Sequence, residues 1–524
     1  MRPHRTLIFA VSLCLPMSLQ AQSASRDWRP ADRTIIGDFS RIAAIAASLD
    51  RVYIASPTSI LTWQPQFQRW EGPFVPPDLS LLESVYAAVV DPLDQSLWLA
   101  RPDGWIHFQP DLQIWDQGRV SEGLVSIAFD ESDPVSGLYL RTRRGWLLLP
   151  RGGTVPTPGR PPAHPKGPTS VEEVLRSNPT LQVNAAQILV DDRLRTVRFT
   201  AAARAPDNSG WYLGTSGSGL LFLRDGAAIP DRVPFGLPAL LVGAVTSWPG
   251  GVWVATNRTP QADAALTFVG EQLTEFRTFR GLPATGVPFT RILDLTGLEK
   301  TVYAATDYGL AYIDPAEGRY ELIDDRRGLP DSRVYSVVAR QGRIVVGTAR
   351  GLARMDDSLR MQRVAPRFSD AAYAVFPAGD SIWVGTPRGV MLALPGEEDL
   401  VRPAALASAS LQGQVIALGS LADTVVALTR DGFIWRNPRG GSWTLGPNLS
   451  ALLGRLRAFA ADGPGFWVAG DRGVGFARLG APPLLSLREG DLPGNATDLT
   501  VSPEHLWVAT TGGLVRFRLD AIRP

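Results

Sequence analysis

The stretch "GLPDSRVYSVVARQGRIVVGTARGL" (328–352) contains a turn, an alternating apolar run, a two-residue break, a second run and a glycine-bearing turn. Its core, "RIVVGTARGL" (343–352), returns along the whole chain, for example as "SIWVGTPRGV" (381–390), "TVYAATDYGL" (301–310), "HLWVATTGGL" (505–514) and "SLWLARPDGW" (96–105). The equivalent apolar or aromatic position falls at Tyr53, Trp98, Tyr139, Tyr212, Trp253, Tyr303, Val345, Trp383, Val426, Trp467 and Trp507. The gaps between these positions are 45, 41, 73, 41, 50, 42, 38, 43, 41 and 40 residues. Eight of the ten lie between 38 and 45, so one supersecondary unit is stacked on itself and the chain must fold as a repeat array.

Each unit has the same grammar. An alternating run precedes the core, and a second run carries the aromatic. A tight turn ending in glycine follows ("RDG", "DRG", "PRG"), then a third run and a weaker fourth. Four short antiparallel strands per forty-odd residues specify a β-propeller blade. The expected fold is therefore all-β, a propeller of about eleven four-stranded blades. A large side chain at one position of every blade is a packing residue between neighbouring blades, not a ligand-stacking group.

Four junctions share "LP": "GLPALLVGAV" (236–245), "GLPATGVPF" (281–289), "GLPDSRVYSVV" (328–338) and "GDLPGNATDLTV" (490–501). With the following "VGT..GL", this pattern resembles the two-component regulator propeller repeat, most strongly over 281–390 and more weakly over 34–524. That repeat builds periplasmic sensor regions of bacterial hybrid two-component systems and some cell-envelope proteins. Its motif consists of turn and packing positions, so it implies a fold and transfers no functional residue. Family sensors continue into an Ig-like domain, a membrane helix and a kinase. Here the sequence runs to "RFRLDAIRP" within a blade, and the expectation is a stand-alone propeller that does not signal by itself.

The last unit offers three strands, "ATDLTVSP", "HLWVAT" and "GLVRFRLD", and an unpaired outer edge would be an aggregation hazard. The segment "SRDWRPADR" (25–33), with Trp28 in the place of a fourth-strand aromatic, is expected to complete it. Closure of this kind places the first and last blades in one ring and favours two rings, one inserted in the sequence of the other. A single large ring is the alternative. The expected organisation is a closing strand and blades 1–3 over 25–158, an insertion over 159–194, and blades 4–11 over 195–524. In the insertion, "TPGRPPAHPKGP" (157–168) reads as an extended linker. Ser170, followed by Glu172 and Glu173, caps a helix that Pro179 breaks, and a second helical stretch runs to about Leu194. The insertion either covers one face or connects the rings.

"MRPHRTLIFAVSLCLPMSLQAQSAS" has a basic start, an apolar stretch from Leu7 to Leu19 and small residues after it. It reads as a secretory signal peptide over 1–22, cleaved near Ala21 to Ser23, and places the mature chain in the periplasm or outside the cell. Cys14 is the only cysteine; Leu13 precedes it, which disfavours lipid attachment, so the mature chain has neither disulfide nor thiol chemistry. Without Arg2 and Arg5 the chain carries 50 basic and 51 acidic residues, a balance that gives no support to a nucleic-acid partner. Lys166 and Lys300 are the only lysines, the mark of a GC-rich bacterial genome.

The sequence nominates no catalytic, cofactor-binding or metal-ligating residue, and ligand-binding residues stay open. His107, His164 and His505 fall in separate units without ligand spacing. That scarcity also argues against the related streptogramin lyases, which use histidine and acids around a divalent metal. "GTSGSGLL" (214–221) lacks the Lys-Ser/Thr end of a phosphate loop. Asp191–Asp192, Asp324–Asp325, Asp356–Asp357 and Glu397–Glu398 lie at turns, where solvated acids belong. "NLS" (448–450) and "NAT" (495–497) read as turns rather than glycan acceptors. The expected role is a non-enzymatic exported binding or scaffold protein that contacts an envelope or extracellular protein, or a glycan, through propeller faces. The alternatives are a polysaccharide hydrolase or lyase with carboxylates at the funnel, and a sensory subunit for a separate kinase.

Overall fold

The structure is a computed structural model that describes residues 28–29, 32–37, 39–183, 189–190, 196–233, 235–259, 263–280, 291–356, 358–403, 413–436 and 441–524. The signal peptide and the junction "GLPATGVPF" lie outside the described residues. Eleven antiparallel sheets follow one another as blades: 44–74, 87–119, 124–166, 199–233, 242–280, 292–323, 334–364, 374–393, 415–448, 456–488 and 496–518. Ten have four or more strands; the described part of blade 8 has three, with one further bridge from Leu392 to Val401.

The innermost strands decide the ring count. Those of blades 5, 6, 7, 8, 9, 10 and 11 touch in sequence order, and blade 11 returns to blade 5, which closes a seven-bladed ring. Those of blades 4, 1, 2 and 3 touch in that order, and the segment 165–169 bridges blade 3 back to blade 4 to complete a smaller, four-bladed ring. Strand Arg33–Ile36 pairs antiparallel with Gly513–Arg518 and supplies the fourth strand of blade 11, so the small ring is inserted in the sequence of the large one. The chain crosses between rings at 39–43 and again at 235–241.

Three expectations change in detail. Within the described residues the closing strand is Arg33–Ile36, at the end of the expected 25–33 and beyond it; Trp28 precedes it and presses edge-on against Phe517, with ring centroids 5.4 Å apart. The stretch at 157–168 is not a linker. Thr157–Gly159 is the outer strand of blade 3, and Pro165–Lys166 adds to the inner edge of Leu124–Asp130. Helix Val171–Ser177 forms as read, with the Ser170 hydroxyl accepting from the Glu173 N–H. No second helix follows in the described part, where Leu189–Val190 pairs as a strand with Thr196–Val197. The insertion is not a ring-to-ring connector. It joins the inner strands of blades 3 and 4, because Thr169 bridges Ala202 directly after Pro165–Lys166 pairs with blade 3.

The repeated letters have physical jobs. In "GT..GL" the threonine hydroxyl donates to the carbonyl of the glycine three residues on, as in Thr306–Gly309, Thr348–Gly351, Thr386–Gly389 and Thr510–Gly513, at 2.7–2.9 Å. The same oxygen accepts an N–H from within the turn. The hydroxyl thus locks the turn between strands two and three. Gly309 has φ of 143° and no room beside it, since a Cβ would lie 2.5 Å from the Ile323 carbonyl oxygen. In "GLP", Gly328 ends a 3₁₀ turn over Asp325–Arg327 with φ of 95°, and Leu329 is buried between blades 6 and 7. The second-strand residues Tyr53, Tyr212, Trp253, Tyr303, Val345, Trp383, Val426, Trp467 and Trp507 are all buried, as packing requires. Trp98 is half-buried and stacks on His107 at 4.1 Å.

Candidate functional site

The inner strands of the large ring turn an unpaired edge toward the axial channel, where each free N–H needs an acceptor. Two aspartates serve. Asp294, just after a bulge in the inner strand of blade 6, accepts from the Val337 N–H of blade 7 at 2.9 Å and from the Leu295 N–H at 2.8 Å. Asp498 does the same in blade 11, accepting from the Val245 N–H of blade 5 and the Leu499 N–H, both at 2.8 Å. Hydroxyls assist: Thr296 accepts from the Ala339 N–H, and Thr497 donates to the Val242 carbonyl. These groups tie blade 6 to blade 7 and blade 11 to blade 5.

Both residues are half-buried with protein packed around their carboxylates, and burial pushes them up to about 7. The two amide hydrogen bonds on each pull the other way, and the charge of Asp294 raises Asp498 further. Both aspartates stand in the triplet "DLT", at 294–296 and 498–500. That recurrence marks them in the sequence, where a search for adjacent acid pairs passes over them.

The adjacent pairs themselves do turn chemistry. Asp324 caps the 3₁₀ turn, Asp356 accepts from Ser358 and Arg360, and Glu398 pairs with Arg367 at 2.5 Å. Asp191–Asp192 and Asp357 lie outside the described residues. The histidines are in blades 2, 3 and 11. The Nε2 of His107 meets the Ser96 hydroxyl at 2.8 Å, and burial pushes this histidine below its ordinary value. His505 Nδ1 hydrogen-bonds Glu271 of blade 5, whose carboxylate also accepts from Ser502 at 3.0 Å. Ser502 therefore donates to the acid and not to the imidazole, which is the wrong order for an activated nucleophile. Trp507 completes this blade-to-blade network by donating to Ser502 at 3.1 Å.

Of the concavities among the described residues, two adjoin the contacts between rings and blades described above. Between the rings, Phe39, Ile54, Leu61, Trp70, Phe235 and the "GTSGSGLL" hairpin enclose a cavity of about 110 Å³. That is well below the roughly 300 Å³ at which ligand pockets begin. It is a seam in the apolar core that Ile36, Ile45, Trp70, Leu237, Val245 and Trp507 share across both rings. A more open depression of about 520 Å³ lies beside Trp248, Pro249, Pro503, Asp462 and Arg523. There the C-terminal turn Leu519–Ile522 brings Arg523 onto Asp462, with contacts at 2.5 and 3.0 Å.

These features define a double-ring β-propeller whose channel acids act as clamps between blades. Among solved structures, the chain is similar to the extracellular domain of the putative hybrid two component system BT3049 from B. thetaiotaomicron, with 14% identity and a TM-score of 0.43. That match covers 90% of this chain and 61% of the other, so the chain spans about three fifths of that domain. It is also similar to the extracellular domain of BT4673 from the same organism, with 12% identity, a TM-score of 0.42, and 91% and 69% coverage. The computationally designed Ika8 protein matches with 14% identity, a TM-score of 0.39, and 62% and 96% coverage. No family model and no curated protein matches the chain. Among the described residues, no helix is long and apolar enough to cross a membrane.

Proposed function

We propose that this protein is an exported, non-enzymatic binding propeller that contacts a protein or a glycan through its ring faces. The observation that carries the reading is the apolar core shared by blades 1, 4, 5 and 11, which joins the two rings. Loops carried on such a scaffold are pre-organised for recognition. The test is affinity capture of the tagged mature protein from an envelope extract of its source cell, read by mass spectrometry, together with a glycan array. A stoichiometric protein partner or a saturable glycan supports the reading. A protein that elutes alone and binds no glycan overturns it.

A polysaccharide hydrolase is the second reading, because Asp294 and Asp498 share one channel. Hydrolysis needs a carboxyl group free to donate a proton and another free to act on the sugar. Both carboxylates here already hold two backbone amides, which favours the binding role. Polysaccharide cleavage that disappears in Asp294→Asn and Asp498→Asn would reverse that preference.

A further inference from the structure

In a four-stranded antiparallel blade whose first strand lines the axis, the connections between strands 1–2 and 3–4 emerge on the same ring face. In the small ring these are 48–51, 65–68, 91–96, 110–113, 131–136, 151–156, 205–209 and 225–230. Seven of the eight carry one large, exposed apolar side chain: Leu49, Phe67, Leu93, Leu112, Val135, Val155 and Ile229, between 51% and 79% exposed. The large ring is a built-in control. Its 1–2 connections in blades 5 to 10 are two residues long, from Pro249–Gly250 to Gly463–Pro464. Among the described residues, none of its connections on the corresponding face carries an exposed large apolar group; Val401 is bridged to Leu392. Scattered exposed apolar residues are ordinary, but one per hairpin on a single face is a surface pattern.

The same eight connections hold eight acids (Asp50, Asp91, Asp94, Asp111, Glu131, Asp133, Asp207 and Asp225) and two bases, Arg51 and Arg151. Both bases are engaged: Arg51 by Asp50 and Asp111 at 3.3 Å each, and Arg151 by Asp91 at 2.8 Å. Two of the acids are engaged from the neighbouring strands, Glu131 by Lys166 at 3.3 Å and Asp225 by Arg204 at 2.6 Å, and eight acids against these four bases leave the face apolar with an acidic excess. A second copy of it, or an anionic lipid surface, would meet like charge.

We propose that this face of the small ring docks a protein segment whose apolar side chains are flanked by lysine and arginine. This rests on the binding role above and names its face and the chemistry of the partner. The probe is a short amphipathic helical peptide of leucine and lysine, compared with its leucine–glutamate counterpart, by fluorescence anisotropy with the mature protein. The lysine peptide is expected to bind at least about tenfold tighter than the glutamate one, and more weakly as salt rises. Phe67→Ser with Leu112→Ser and Val155→Ser, all at exposed positions, should weaken it more than about tenfold, as should Asp94→Lys with Asp111→Lys.

Equal affinity for the two peptides, absence of saturable binding, or unchanged binding by both variants overturns the proposal. So does self-association, or tighter binding to phosphatidylglycerol vesicles, that the apolar substitutions abolish. Repeating the envelope capture with the triple variant separates the two claims. A partner retained at full yield removes this face and leaves the binding role standing, whereas no partner for the wild type removes the role itself.

Discussion

Closure of the large ring rests on four residues from the other end of the chain, and it can be tested one side chain at a time. In strand Arg33–Ile36, Ile35 pairs with Val515 and Ile36 with Leu514. Their side chains point to opposite faces, as the pleat requires. Ile35 enters the core with Trp467, Leu487, Leu506 and Phe517, while Ile36 enters the core shared between rings, with Val242, Trp507 and Leu514. Both are buried. Truncation to alanine removes three carbons, about 2.4 kcal/mol of transfer free energy at ~0.8 kcal/mol per methylene, plus a cavity term. The expected loss is about 3 kcal/mol for Ile35→Ala and similar for Ile36→Ala, roughly 5 °C in melting temperature for a ring of this size. Thr34→Ala is the control: its half-buried hydroxyl meets only the long contact from Arg516 at 3.4 Å, and its loss should cost under about 0.5 kcal/mol. Thermal melts followed by tryptophan fluorescence supply the comparison, and hydrogen exchange should show amides of 513–518 and 505–510 losing protection first. If Ile35→Ala melts with the wild type, or if Thr34→Ala costs as much as either isoleucine, the strand does not close the ring.

Three further outcomes follow from the same contacts. Asp294 and Asp498 are pushed up to about 7 when folded, above the carboxylate value of the unfolded chain, so folding favours their protonated forms; the stability these two groups contribute is fully present below about pH 4 and is lost as pH rises through 7. Between pH 5 and pH 8, denaturant midpoints should therefore fall more steeply for the wild type than for Asp498→Asn, by the equivalent of about 1–2 kcal/mol given the partial exposure of both residues; parallel slopes would refute the assignment. Gly309→Ala must place a Cβ against the Ile323 carbonyl and should cost about 2–3 kcal/mol, whereas Gly342→Ala, at φ of 73° with open space, should cost about 1 kcal/mol in the same melts. Arg523→Ala leaves the buried Asp462 carboxylate with only Trp467 as a side-chain partner, and a loss of about 1–2 kcal/mol in melting experiments is expected, largely absent in Asp462→Asn/Arg523→Ala relative to Asp462→Asn.

The blades were legible because their code is local. Period-two alternation, the threonine-to-glycine turn at Thr306–Gly309 and its equivalents, and the buried aromatic at Trp253, Trp467 or Trp507 all act within one hairpin or between adjacent blades. The helix capped by Ser170 was legible for the same reason. The closing segment was recognisable from the missing fourth strand, although its strand lies at 33–36, past the tryptophan that drew attention to it. The clamps were harder to see. Asp294 and Asp498 look like ordinary strand acids until Val337 and Val245 are placed opposite them.

The division into seven blades and four belongs to no local stretch. It depends on which inner strands meet, and the deciding contacts join Thr497 to Val242 and Thr200 to Ile42, residues remote in sequence. Proline-rich 157–168 has the composition of a linker, yet the two open edges of blade 3 recruit its ends as strands, Thr157–Gly159 on the outer edge and Pro165–Lys166 on the inner one facing blade 4, because an unpaired edge is worse than an imperfect strand. Short-range pattern specifies what each blade is. How many blades close a ring is set by long-range packing between inner strands that no local stretch brings together.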